Sequence, residues 1–252
     1  MSLLRVRHEG AVAVLTLDDP KRRNILSPEL CRELSAAVAA ANADDAVKAI
    51  VITGAAPAFC AGADLDDLQA AANGATDALH AVYQSFMDVA DSGLPTIAAV
   101  NGAAIGAGLN LALACDMRIA GADALFDTRF LKIGLHPGGG HGWMLLRAVG
   151  WAEAARLLLL ACPVRAEEAR EIGLVQRVVP ADGLIEAAVA LAGRSEALPR
   201  DLLIRTKASL RLAARADHRT AFDHEAGEQL RSLHEPPFIE LVQRLQATIA
   251  AR

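Results

Sequence analysis

Short apolar runs closed by turns alternate with helical apolar faces along the first two-thirds of this chain. The run AVAVLTL at 11–17 predicts a strand ending at the turn Asp18-Asp19-Pro20. Ser27-Pro28-Glu29 then predicts a helix start, with serine as cap, proline in the first turn and an acid at the positive end. Leu30, Leu34 and Val38 follow at a spacing of four and make one apolar face. A second strand covers 49–53 and closes at Gly54; a loop covers 55–63, and Asp64 caps the next short helix. A helix over 75–91, a third strand over 96–100 turned by Asn101-Gly102, a buried helical segment over 109–114 and a short strand over 117–120 come next. Residues 126–130 read as a further extended piece. Helices are predicted over 143–149, 151–160, 166–171, 184–192 and 201–216, and Pro236-Pro237 breaks the helical tail before a last helix over 239–250. Strand–helix repeats followed by helices alone predict an α/β core of parallel layers over 1–198 and a C-terminal helical region over 199–252.

Composition narrows this picture. Apolar residues make up 53% of the 252 positions and charged residues 22%, the balance of a packed domain. Aromatics are only 4%, so the layers must be built from small and aliphatic side chains set close together. The net charge of −5, with both signs interspersed, argues against a nucleic-acid surface, which needs a basic face. Cys31, Cys60, Cys115 and Cys162 lie far apart with no CxxC pair, so neither a zinc site nor a disulfide framework is expected. The most apolar stretch, 97–114, contains Asn101, Gly102, Gly106, Gly108 and Asn110, which suits a buried strand, turn and helix better than a membrane span. With no signal-peptide pattern at the N-terminus, a cytoplasmic location without membrane attachment is expected.

Two loops carry the candidate chemistry. Ala58-Phe59-Cys60-Ala61-Gly62-Ala63-Asp64-Leu65 leads from a strand into a helix capped by an aspartate, and its small residues let a ligand approach the backbone. Asn101-Gly102-Ala103-Ala104-Ile105-Gly106-Ala107-Gly108-Leu109-Asn110 does the same. The first amides of a helix lack intrahelical acceptors and lie at its positive end. Two such termini can offer one N–H each to a single oxygen, the arrangement of an oxyanion hole. A dinucleotide fingerprint is excluded, because Gly106-Ala107-Gly108 lacks the third glycine and its partner acid; that disfavours a nicotinamide-dependent oxidoreductase.

AFCAGADL, VNGAAIGAGLNLALACDMRIA and FLKIGLHPGGG, in this order and spacing, resemble the crotonase family, the enoyl-CoA hydratase/isomerase superfamily. The match runs from Asp19-Pro20-Lys21-Arg22-Arg23-Asn24-Ile25-Leu26 to the helical tail. The resemblance implies a spiral of ββα units, a helical trimerisation region, and a homotrimer or dimer of trimers. It places the hole amides on Ala63 and Ala107. It also implies that Lys21, Arg22, Arg23 and Ile25, with Ala61, Asp64 and Leu65, line the coenzyme A moiety, which belongs to the substrate, so that no separate cofactor and no metal are needed. Asp64 serves as a helix cap rather than a catalytic acid.

The family's hydratases activate water and protonate Cα with two glutamates. By the same resemblance their positions hold Asn110 and Phe130, so neither carboxylate is present. Asn110 can hydrogen-bond but cannot exchange protons near neutral pH, and Phe130 does neither. His136 and His141 flank Pro137-Gly138-Gly139-Gly140 and are the candidate proton carriers; related dehalogenases and dienoyl isomerases carry an aspartate at the position of Gly138. Asp127 and His80 are weaker candidates. The expected function is therefore that of a hydratase/isomerase-type enzyme acting on an acyl-CoA thioester through an oxyanion hole and an enolate-type intermediate, with the two-glutamate hydration route compromised. Isomerisation, decarboxylation and thioester hydrolysis stay open, and the alternative is a non-catalytic acyl-CoA binding protein.

Overall fold

The computed structural model describes residues 2–250. The chain divides into two compact units, Met1–Arg194 and Ser195–Arg252. In chain order the strands are β1 (Leu4–Glu9), β2 (Val12–Leu17), β3 (Ala49–Gly54), β4 (Ala58–Cys60), β5 (Thr96–Val100), β6 (Ala103–Ile105), β7 (Met117–Gly121), β8 (Leu125–Asp127), β9 (Val164–Arg165) and β10 (Arg177–Val179). The helices of the first unit are α1 (Pro28–Ala43), α2 (Leu65–Ala72), α3 (Asp77–Asp91), α4 (Ala107–Ala114), α5 (His141–Leu159), α6 (Ala166–Glu171) and α7 (Leu184–Ala192). The second unit consists of α8 (Arg200–Ala213), α9 (His218–Ser232) and α10 (Pro236–Ala250).

The strands of the first unit sort into two sheets, ordered β1-β2-β3-β5-β7-β10 and β4-β6-β8-β9. Each turn of the spiral sends one long strand into the six-stranded sheet and the following short strand into the four-stranded one: β3 then β4, β5 then β6, β7 then β8. The first two of these strand pairs run on into helices α2 and α4. Neighbours from β2 to β10 in the large sheet pair in parallel, and only β1 runs antiparallel. The fold is thus an α/β spiral of ββα units followed by a helical region.

Burial on both faces explains the continuous apolar runs. All six residues of β3 are buried. Val12, Val14, Val51, Ile97 and Ile119 point to one side and pack with Leu184 and Ala188 of α7. The start of α1 follows local chemistry: the Ser27 hydroxyl accepts the Leu30 amide at 3.3 Å, with Pro28 in the first turn.

Several elements depart from the sequence reading. β1 was not anticipated, because LRVRHE buries only Leu4 and gains its order by pairing with β2. The extended piece expected over 126–130 stops at Asp127. Its carboxylate accepts the Arg129 amide at 2.9 Å, Arg129 takes a left-handed conformation (φ 58°), and Phe130–Ile133 wind into a 3-10 turn. The prolines at 236 and 237 do not break the tail ahead of a helix at 239. They occupy the first turn of α10, where proline's missing N–H costs nothing. Helix α9 follows the predicted 201–216 helix unannounced, its start capped by Asp217, which accepts the Thr220 amide at 2.8 Å. The two helices expected over 143–149 and 151–160 are the halves of α5, interrupted at Gly150 (φ 75°, ψ 176°).

Candidate active site

Both chemistry-bearing loops end at helix N-termini on one cavity of about 770 Å³ in the first unit. The first is held from the side by residues 23–26. The Ala61 amide donates to the Arg23 carbonyl at 3.0 Å and the Leu26 amide to the Gly62 carbonyl at 2.8 Å. Asn24, fully buried, anchors this segment: its amide nitrogen donates to the Ala55 and Ala58 carbonyls, both at 2.8 Å, and its oxygen accepts the Asp19 amide at 2.9 Å. Asp64 caps α2, accepting the Asp66 amide at 3.0 Å.

The second loop is pinned by β8, where the Gly106 amide donates to the Asp127 carbonyl at 2.8 Å. The two loops touch at Gly62. A methyl group there would lie 2.6 Å from the Ile105 carbonyl oxygen and 3.5 Å from the Ala107 nitrogen, and the φ of +98° is one that a side chain strains. Ala63 and Ala107 both line the cavity, on the two loops that touch at Gly62. Ala107 opens α4, so its amide belongs to the set without an intrahelical acceptor. Neither amide donates among the loop and cap hydrogen bonds of the described residues.

Leu68, Leu79, Val82, Phe86, Phe130 and Ile133 make most of the remaining wall apolar. Of the residues singled out in the sequence, Ile25, Ala61, Ala63, Asp64, Leu65, Ala107, Asn110, Phe130 and His136 line this cavity; Lys21, Arg22, Arg23 and His141 do not. Lys21, Arg22 and Arg23 are exposed, and Arg22 is already drawn to Asp19 (2.7 Å) and Asp64 (3.6 Å).

Asn110 is 1% exposed and held at both ends. Its Nδ2 donates to the Gly138 carbonyl at 2.9 Å, which turns its Oδ1 toward His141 Nδ1. His141 must then carry its proton on Nδ1 and donate it to Asn110. Its Nε2 is buried without a partner among the described residues. The ring lies edge-on to Phe130, with centroids 4.9 Å apart. Burial lowers the His141 pKa from 6.5 to about 4, so the ring is neutral at physiological pH. His141 thus sits behind the wall and orients Asn110. It does not line the cavity, as a proton carrier facing the acyl group would.

His136, by contrast, is exposed at the cavity edge; its Nδ1 donates to the Pro137 carbonyl at 2.8 Å, leaving Nε2 as an acceptor. Asp127 is buried and committed to Arg129 (2.8 Å) and Lys132 (3.4 Å), and His80 is exposed outside the lining. Burial raises the Cys60 thiol to about 12 and the Cys31 thiol to about 11, so both stay protonated and neither serves as a nucleophile. No group of three or more metal-ligating side chains occurs among the described residues.

Among the lining residues that the sequence did not single out are Tyr83 and Arg129. Tyr83 is the single tyrosine of the chain and shares a helical face with Leu79, Val82 and Phe86, a signal that was available. Arg129 depends on the turn after β8, which the sequence did not reveal.

The chain compares with known proteins over most of its length. A probable enoyl-CoA hydratase, echA14 of Mycobacterium tuberculosis, is 48% identical over 234 residues, covering 90% of this chain and 91% of that protein. The 2,3-dehydroadipyl-CoA hydratase of Escherichia coli K12 is 39% identical over 199 residues, 77% of this chain and 76% of that one. The crystal structure of an enoyl-CoA hydratase from Polaromonas sp. JS666 superposes with a TM-score of 0.91 at 31% identity, covering 97% of both chains. The model of the family described as enoyl-CoA hydratase/isomerase matches residues 7–236, and the chain belongs to that family.

Proposed function

We propose that this protein is an enzyme that binds an acyl-CoA thioester and polarises its carbonyl with the Ala63 and Ala107 amides, passing through an enolate-type intermediate. The observation that supports this reading is the contact of the two loops at Gly62, beside which Ala63, just ahead of the α2 cap, and Ala107, which opens α4, both line a largely apolar cavity. Charge developing on the thioester oxygen would meet fixed donors and the positive end of α4, with little reorganisation. The apolar wall suits an acyl chain. Exposed Lys21 and Arg23 suit coenzyme A phosphates, and coenzyme A enters as part of the substrate rather than as a separate cofactor. The names of the relatives, enoyl-CoA hydratase and 2,3-dehydroadipyl-CoA hydratase, support an acyl-CoA substrate.

Hydration by paired glutamates is not part of the proposal. Phe130 offers no proton, and Asn110 is neutral and held by Gly138 and His141. Asp64 and Asp66 are the acids that line the cavity, and both lie at the start of α2. His136, through Nε2, is the proposed proton carrier. The apolar residues that α10 leaves exposed, Phe238, Leu241, Leu245 and Ile249, support assembly into a homotrimer or dimer of trimers through the helical region.

Turnover of enoyl-, malonyl-type and hydroxyacyl-CoAs tests the proposal. It predicts turnover of at least one class and its loss in His136→Ala with binding retained. A second reading, non-catalytic acyl-CoA binding, is favoured by the locked state of Asn110, and tight binding without any turnover across the panel would establish it.

A further inference from the structure

The hydroxyl of Tyr83, a half-buried residue, is one of the few polar side-chain groups in the lining of the cavity. Tyr83 comes from the middle of α3, surrounded in the lining by Leu79, Val82 and Phe86, with the Phe86 ring centroid 6.0 Å from its own. A tyrosine placed among apolar side chains normally finds a hydrogen-bond partner for its O–H. Among the described residues, none bonds this one.

Its neighbour is the turn that Asn110 holds. A methyl group on Gly138 would lie 3.2 Å from Tyr83 Cζ and closer still to Oη, so the hydroxyl fills the space that any side chain at 138 would need. The Gly138 carbonyl is in turn fixed by Asn110, three residues along α4 from Ala107. Three residues of helix advance about 4.5 Å. The hydroxyl therefore stands beside a turn that is fixed by a residue about one helical turn along α4 from the proposed hole donor Ala107. Phe130, also in the lining, supplies no hydrogen bond.

We propose that the Tyr83 hydroxyl determines specificity by donating a hydrogen bond to an oxygen carried by the acyl chain close to the thioester, so that the cavity selects oxygen-bearing acyl groups over plain saturated ones. The inference rests on the acyl-CoA reading above. Asn110 remains tied to the turn, and the tyrosine takes over polar recognition from the side of α3.

Calorimetric titration of the wild-type protein and Tyr83→Phe with a 3-hydroxyacyl-CoA and the saturated acyl-CoA of equal length tests it. One neutral hydrogen bond predicts a loss of about 5- to 10-fold in affinity for the hydroxyacyl ester. The saturated ester should bind both proteins equally. Gly138→Ala, which drives a methyl into the tyrosine ring, should lower the same preference ratio. Equal effects on the two esters, or none on either, overturn the assignment to Tyr83. If the wild-type protein binds neither ester, the acyl-CoA reading itself falls.

Discussion

Lowering the pH should destabilise this fold through one residue, His141. Its pKa lies near 4 in the folded chain against an ordinary 6.5, because the ring is buried, and a second proton would make Nε2 a donor with no acceptor. Between those values the unfolded chain holds more protons than the folded one, so stability rises with pH. The contribution is complete above about pH 6.5 and is lost as pH falls toward 4. At 1.36 kcal/mol per unit the loss totals about 3 kcal/mol. Urea unfolding of the wild-type protein and His141→Gln at steps from pH 7 to 4 isolates this from the carboxylates, which titrate in both. The wild type should lose about 3 kcal/mol more than the variant over that range. Parallel curves would refute the reasoning, as would a His141 ring resonance that titrates near pH 6.5 by NMR.

Ala107→Pro removes one proposed hole donor at the first position of α4, where proline is tolerated; turnover should fall about 10²–10³-fold while the melting temperature changes little. Unchanged turnover would sink the role of that amide. Asn24→Ala strands the buried Ala58 carbonyl and the half-buried Ala55 carbonyl and should cost about 2–4 kcal/mol in denaturant unfolding; a loss below about 1 kcal/mol would contradict its anchoring role. Gly62→Ala combines a φ of +98° with a methyl 2.6 Å from the Ile105 carbonyl, so it should both destabilise the chain by at least about 1–2 kcal/mol and weaken acyl-CoA binding. Full affinity in that variant would show that the contact between the loops is dispensable.

What could be read from the sequence follows local chemistry. Ser27-Pro28-Glu29 announces α1, and the apolar runs of β3 and β5 announce strands buried on both faces. Strands of two or three residues such as β4, β6 and β9 carry too little pattern to be recognised, because their order comes from pairing within the second sheet. Helix α9 leaves no residue buried and so lacks an apolar face to detect. At the site, the two glycine-containing loops were visible because each leads from a strand to a helix start. The lock on Asn110 was not, since it joins α4 to residues 28 and 31 positions away, and the contact of Tyr83 with Gly138 is equally long-range. The sequence made both histidines beside the glycine run equivalent. Burial separates them, with His141 packed against Phe130 and His136 at the cavity edge.

In the proposed function two backbone amides polarise a thioester carbonyl. Isotope-edited infrared spectroscopy of an acyl-CoA labelled with ¹³C at that carbonyl reads it directly. The carbonyl stretch should move to lower frequency on binding, and Ala107→Pro should reverse most of the shift. A bound carbonyl that absorbs where it does in water, or whose shift is indifferent to Ala107→Pro, would contradict the proposed function.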